Sequence, residues 1–389
     1  MRILHVITTL DVGGAEMHLL AQVRGQSARG HAPSVAFLKG HGTLERDFRA
    51  AGAREVVRLA LGPSFPWRLA RLARGADVLH THLLKADMAV AASTLVVGGR
   101  ARLVSSKHND EQVLRRPLVS RVHGFLGNLP QRTIVLSDHV GRFIAEHGRV
   151  DPRKLVRIYY GLDPAPFEAA AQADAAERTR LRASLGFAPA DVLLVCVARF
   201  APQKAHDVLL SAFARARERE PRLALLLVGD DPFGDNRRKA EALAAQLALG
   251  ARCVFAGIRR DVPALLAASD VFVMSSLWEG LGLVFLEAMA ARLPVVSTRV
   301  SAIPEVVREG ETGLLVPPAD AEALSEALLA LCADPALRRR MGERGAARVR
   351  QAFGLERMVE ETLEVYRSLP SARRASSPER DAADRGPAA

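Results

Sequence analysis

The chain has 389 residues, 49% hydrophobic and 25% charged, an ordinary soluble composition that excludes intrinsic disorder for its body and favours two or three domains. Three cysteines, Cys196, Cys253 and Cys332, have neither metal-ligand nor redox spacing, so a disulfide scaffold is excluded and buried thiols in a reducing compartment are expected. The net charge of +11 lies wholly in residues 1–165, with 24 basic and 13 acidic side chains, while the remainder holds 30 of each.

The N-terminus passes from a short apolar run, Ile3–Ile7, straight to Thr8, Thr9 and Asp11. A signal peptide needs a longer apolar stretch. The longest uncharged, mostly apolar run, Met88–Gly99, is 12 residues, short of the ~20 needed to span a bilayer. A cytoplasmic protein, soluble or peripheral on a membrane, is expected.

Strand and helix patterns alternate along the chain. Ile3–Ile7 is followed by Gly13-Gly14 and a helical pattern over Ala15–Arg29. Ser34–Leu38, Val78–His82, Leu103–Ser106, Thr133–Leu136 and Val156–Tyr159 are the next strand candidates. Residues 166–187 are rich in Ala, Arg and acids and predict a helical linker. The rhythm restarts with Val192–Val197, Ala224–Val228, Cys253–Ala256, Val271–Met274 and Pro294–Ser297. This order predicts an α/β protein of two Rossmann-like domains facing across a cleft, residues 1–165 and 188–353. A last helix spans 354–369, and 370–389 has a disordered composition.

Four groups of residues carry chemistry. The first runs from Ser276 to Ala290, after the strand Val271–Met274. Gly280 and Gly282 let the backbone approach a ligand. The helix starting near Leu283 offers free N–H groups to a diphosphate or a sugar hydroxyl. Leu283, Leu286, Met289 and Leu293 form its buried stripe, with Glu287 beside it as an acceptor for a vicinal diol. Glu279 stands eight positions earlier, in the loop; a loop Glu and a helix-flank Glu with no role are the alternative.

The second group is Val197-Ala-Arg-Phe-Ala-Pro-Gln-Lys204. Arg199 and Lys204 sit at a strand's carboxyl end, where open α/β sheets bind ligands, and two cations there suit a departing diphosphate. A solvated loop pair is the alternative. Third, Gly13-Gly14 precedes a helix, which a tight turn alone also explains; no Gly-x-Gly-x-x-Gly supports nicotinamide binding.

The fourth group is the histidines, ten of 11 before residue 165. His80 and His82 share a strand face, but spacing places no third metal ligand. His108 ends a strand facing the cleft and is the better functional candidate, with a plain surface histidine as the alternative.

Together these residues resemble the large retaining glycosyltransferase family of sucrose synthases and bacterial mannosyltransferases, the family 4 or group 1 type with the GT-B fold. The likeness covers Met1 to about Leu369. Its most specific part is Glu279 to Glu287, a Glu-x7-Glu element. Arg199 and Lys204 match the diphosphate clamp, and Phe255-Ala-Gly257-Ile258-Arg259 the segment lining the nucleotide base. Ile303-Pro-Glu305 and Glu311-Thr-Gly-Leu-Leu-Val-Pro317 match further signatures. Gly13-Gly14 matches the loop near the donor phosphate, His108 the active-site histidine, and Ile158-Tyr-Tyr-Gly-Leu-Asp163 the hinge. Four departures stand out: Ala198, Ala205 and Ser301-Ala302 replace glycines, and Tyr160 replaces Asn.

The resemblance implies a retaining transfer from a nucleotide sugar to a glycan or lipid-linked acceptor in cell-envelope synthesis. In it the donor phosphate takes the acceptor's proton by front-face attack. The C-terminal domain would hold the donor: Arg199 and Lys204 on the diphosphate, Glu287 on the ribose, Glu279 and Gly280, Leu281, Gly282 and Leu283 on sugar or phosphate. His108 would act from the acceptor domain, and the last helix would cross back to it. No cofactor is implied, and without Asp-x-Asp at a C-terminal strand end, none of the residues points to a metal. Nucleic acid is not an expected partner. A nucleotide-sugar epimerase and a non-catalytic sugar-nucleotide-binding homologue are the alternatives. The basic first half fits an anionic partner, such as a membrane surface, or drift in an Arg-rich composition. Pro66–Arg74 and Arg115-Arg116 are its local candidates, with Arg68, Arg71 and Arg74 as a stripe beside Leu69, Leu72 and Trp67.

Overall fold

A computed structural model describes residues 1–97, 101–231 and 234–370. Two parallel sheets organise the chain. The first has β1 (Arg2–Ile7), β2 (Ala32–Phe37), β3 (Val56–Arg58), β4 (Val78–His82), β5 (Arg102–Lys107), β6 (Arg132–Val135) and β7 (Leu155–Arg157), in the order β3-β2-β1-β4-β5-β6-β7. The second has β8 (Val192–Val197), β9 (Leu223–Val228), β10 (Cys253–Gly257), β11 (Val271–Met274), β12 (Val295–Thr298) and β13 (Gly313–Val316), in the order β10-β9-β8-β11-β12-β13.

The central strands form because their side chains bury on both faces. Leu223-Ala-Leu-Leu-Leu-Val228 is buried throughout, as a parallel strand covered by helices on two sides requires. Both sheets reverse order beside their first strands, β1 and β8, which opens a crevice at the carboxyl ends of the central strands. Two short strands escape the sequence reading. Val56–Arg58 is a three-residue edge strand, and Gly313–Val316 lies within the signature beginning at Glu311.

Between the sheets the chain forms two short helices, Ala165–Ala171 and Ala175–Ser184. The last helix, Leu355–Ser368, returns to the first sheet's side, as expected. It packs on helix Gly14–Ala28, and a Cβ on Gly25 would lie 2.5 Å from Val359 Cγ2. Gly25 therefore serves close packing in mid-helix. The crossing point is a parallel bridge between Leu162 and Gly354. The tail expected to be disordered lies outside the described residues, save Pro370.

Candidate active site

The sequence-predicted site residues converge where the carboxyl ends of the two sheets face one another. Arg199 lies two residues past β8, and Lys204 ends the 3-10 turn Pro202–Lys204. Glu279 and Gly280 follow β11, and helix Leu283–Ala290 starts with no side-chain cap at Gly282. Phe285 N donates to the Gly282 carbonyl at 3.0 Å, which leaves the amides of Leu283 and Val284 without a partner among the described residues. His108 stands one residue past β5, on the opposite side.

Lys204 and Glu279 form an ion pair, both nearly buried. Ser276 Oγ donates to the same Glu279 Oε1 at 2.7 Å. Gln203 Nε2 donates to the Trp278 carbonyl at 2.6 Å, tying the two loops together. Arg199 is exposed, and its charge reaches Glu16 of the other domain. Burial pushes the Glu16 carboxyl up, with Thr9 Oγ1 donating to it in opposition. Glu16, which closes the Gly13-Gly14 loop, lies beyond what the motif reading assigned a role.

Glu287 makes no side-chain hydrogen bond or ion pair among the described residues. It is half-buried, and burial pushes its carboxyl up to about 7. The buried stripe beside it differs in one member from expectation. Phe285, with Leu286, Met289 and Leu293, is buried, whereas Leu283 is half-buried, because the helix opens on the cleft at that residue. Gly257 and Gly282 take left-handed backbones, φ 66° and 79°, which favour glycine. Ile258 is exposed, and Arg259 makes two hydrogen bonds to Asp261, one of them 2.7 Å from Nε to Oδ1. Leu281 is buried, Gly14 begins helix Gly14–Ala28, and Gly13 packs on the Glu16 carboxylate.

The domains touch at the site. A Cβ on Gly280 would lie 2.0 Å from the His108 carbonyl oxygen. The Glu305 carboxylate accepts from the amides of Asp138 (2.9 Å) and His139 (2.8 Å), at the start of helix Asp138–Glu146. Ser301 Oγ donates to Asp110 Oδ2 at 2.9 Å, and the same oxygen pairs with His139 Nε2 at 2.8 Å. Asn109 Oδ1 and Asp110 Oδ1 are buried beside His108 with no partner among the described residues, so they would welcome a hydroxyl. Ser301 and Ala205, which replace glycines, keep left-handed backbones, φ 46° and 45°. A side chain at such a backbone carries strain.

His108 heads a buried chain of rings. Its Nδ1 bonds the Tyr160 hydroxyl at 3.1 Å and its Nε2 bonds His82 Nδ1 at 3.1 Å. His82 Nε2 meets His5 Nδ1 at 3.0 Å, and His5 Nε2 meets Gln26 Oε1 at 2.9 Å. If Tyr160 donates, each imidazole in turn accepts at Nδ1 and donates from Nε2–H, ending on the Gln26 carbonyl. Burial supports neutral rings, lowering His5 to about 4 and His108 to about 3. His5, His80 and His82 bring ring nitrogens within 4.8 Å of one another, the third histidine that spacing did not find. His80 bonds Tyr366 at 2.6 Å and Ser106 at 2.8 Å. Every ring nitrogen of the trio thus has a hydrogen-bond partner, which accounts for the cluster.

The architecture matches solved structures. HepE of Anabaena, in a complex with UDP and glucose, superposes with a TM-score of 0.85 at 22% identity, covering 94% of this chain and 99% of that one. Two Rossmann-like sheets with this cleft define a GT-B protein. The model described as Glycosyl transferases group 1 matches residues 177–348, and Glycosyltransferase Family 4 matches 12–166. The GDP-mannose-dependent alpha-(1-6)-phosphatidylinositol monomannoside mannosyltransferase of Mycolicibacterium smegmatis is 31% identical over 351 residues, 86% of this chain and 89% of the relative. The N-acetyl-alpha-D-glucosaminyl L-malate synthase of Bacillus anthracis is 29% identical over 294 residues, 75% of this chain and 74% of the relative. The chain belongs to the family 4 glycosyltransferases.

Proposed function

We propose that the protein transfers a sugar from a nucleotide-diphosphate donor to a lipid-linked or glycan acceptor with retention of configuration, in cell-envelope synthesis on the cytoplasmic side. The observation that carries this reading is the Lys204–Glu279 ion pair beside an uncapped helix, directly opposite His108. The region 188–353 is assigned to the donor and 1–165 to the acceptor.

In the proposed reaction the diphosphate is drawn to Arg199, Lys204 and the amides of Leu283 and Val284 at the start of helix Leu283–Ala290. At ~4 Å, opposite charges in a partly shielded cleft attract by about 4 kcal/mol before desolvation. Stabilising the developing charge on the leaving diphosphate lowers the barrier. Glu279 holds the Lys204 ammonium ready and, with the Gly280–Leu283 backbone, faces the sugar. Glu287 accepts from the ribose diol. Gly257, Ile258 and Arg259 line the base, and Gly13-Gly14 approaches the phosphate from the acceptor side. His108, whose two ring nitrogens are already bonded, shapes the sugar pocket through its ring and carbonyl. The donor phosphate oxygen takes the acceptor's proton as the new bond forms on the face the diphosphate leaves. This reaction uses no resident metal, and transfer in excess EDTA is the expected result.

A thermal-shift panel of UDP-, GDP- and ADP-sugars tests the reading, since a ligand of the folded state raises the melting temperature. Donor turnover with and without acceptor separates transfer from epimerisation and from binding alone. Sugar isomerisation without acceptor would overturn the proposal.

A further inference from the structure

Three helices of the N-terminal half lie side by side: Phe65–Leu72, Leu84–Val97 and Pro117–Leu126, with the middle one packed on both others. Each buries one side, through Leu69, Val90 and His123 among others. The outer sides expose large apolar residues. On Pro117–Leu126, Leu118 is 74% exposed and Phe125 65%, with Val122 exposed between them. Spacings of four and three put all three on one helical stripe. Leu95 and Val96 are exposed near the end of the middle helix, and Trp67 near the start of the first. A contiguous exposed apolar stripe such as that on Pro117–Leu126 marks an interaction site.

The exposed charges on these three helices and on the turn before the last have one sign. Arg68, Arg71, Arg74, Lys85, Arg115, Arg116 and Arg121 are all exposed, and none is in an ion pair among the described residues. The one acidic residue within 65–72, 84–97 and 112–126 is Asp87, buried against Lys107. The expected docking helix is corrected in part. Leu69 faces the core and Leu72 is half-buried, since that stripe packs on the middle helix. Its arginines and Trp67 remain outside, while Pro117–Leu126 supplies the apolar stripe.

We propose that this face, centred on Leu118, Val122 and Phe125 with Arg115, Arg116 and Arg121, docks the protein reversibly on an anionic phospholipid bilayer. Apolar side chains enter the boundary between headgroups and acyl chains while cations meet the phosphates. An acidic protein or a nucleic acid would match the charge but leave Leu118 and Phe125 without a purpose. The face adjoins the site, because Arg115 and Arg116 stand on the segment leading away from His108. A lipid-linked acceptor would thereby be presented to the cleft. The inference deepens the lipid-linked reading and rests on it for that last step alone.

Flotation of the full chain with phosphatidylglycerol–phosphatidylcholine vesicles, against phosphatidylcholine alone, tests it. The protein is expected to float with the anionic vesicles and to be released by salt. Each basic residue near an anionic leaflet strengthens binding about fivefold, so Arg115→Gln, Arg116→Gln and Arg121→Gln together should weaken it about a hundredfold. Leu118→Ser, Val122→Ser and Phe125→Ser together should abolish it, with melting temperature and sugar-nucleotide binding unchanged. Should that variant misfold, the glutamine variant decides. Equal flotation with neutral vesicles, or glutamine variants that bind like the parent, overturns the proposal. A chain that binds a sugar nucleotide but no vesicle refutes docking and leaves the transferase reading intact.

Discussion

Gly280 lies so close to the His108 carbonyl that a methyl group at its Cβ would fall 2.0 Å from that oxygen. The contact joins the loop after β11 to the end of β5, and it defines how tightly the two domains close over the site. Gly280→Ala should therefore prop the cleft open. A misplacement of ~1 Å at a reacting centre costs about 10²-fold in rate. Turnover is expected to fall by about that factor while nucleotide affinity, measured by calorimetry, stays near the parent value. An unchanged rate would show that closure does not require this contact.

The clamp is tested by Arg199→Ala and Lys204→Ala. Loss of one preorganised charge-stabilising group costs about 10²–10³ in kcat. Lys204→Ala also leaves Glu279 without its cation, so Lys204→Arg is the useful companion, keeping charge with altered geometry. Steady-state kinetics near the parent in both alanine variants would remove the clamp from the mechanism.

Burial sets a pH dependence through Glu287. Its carboxyl is raised to about 7 in the free protein, and a ribose diol donates hydrogen bonds to the ionised form. Binding therefore lowers this pKa and expels a proton whenever the free group is protonated. Nucleotide affinity should weaken as pH falls below about 7 and level off above it. Calorimetry in buffers of different ionisation enthalpy should register proton release below pH 7, absent in Glu287→Gln. Affinity that is flat from acid to neutral pH would contradict the ribose role.

The Tyr160–His108 bond makes a prediction about tautomers. His108 should remain neutral, protonated on Nε2, between about pH 5 and 8, as 15N NMR of the ring would reveal. Tyr160→Phe removes the donor and leaves Nδ1 buried and unpaired, costing about 1–3 kcal/mol of stability. A ring that titrates near 6.5 would refute the neutral chain.

How much of this was legible in the sequence follows from range. Val192–Val197 and Val271–Met274 have the observed bounds, because buried parallel strands are continuous apolar runs. Glu279, Gly280, Gly282 and Glu287 sit on one strand–loop–helix, so order along the chain sufficed. Val56–Arg58 gave no signal, since three residues at an edge carry too little pattern. The chain through His5, His82, His108 and Tyr160 draws on four separate segments, and only the parallel register of β1 with β4 and of β4 with β5 brings its histidines together. Glu305 belongs to a recognised motif, yet its role at the start of helix Asp138–Glu146 depends on how the domains meet.

Nuclear magnetic resonance of the transferred product decides whether the anomeric configuration is retained. With the nucleotide sugar that stabilises the protein and a membrane lipid fraction as acceptor, the one-bond carbon–proton coupling at C1 reports the new anomeric configuration. An α-linked donor should yield an α-linked product, formed in step with the released nucleoside diphosphate. A β-linked product, or an altered sugar still bound to its nucleotide, would contradict it.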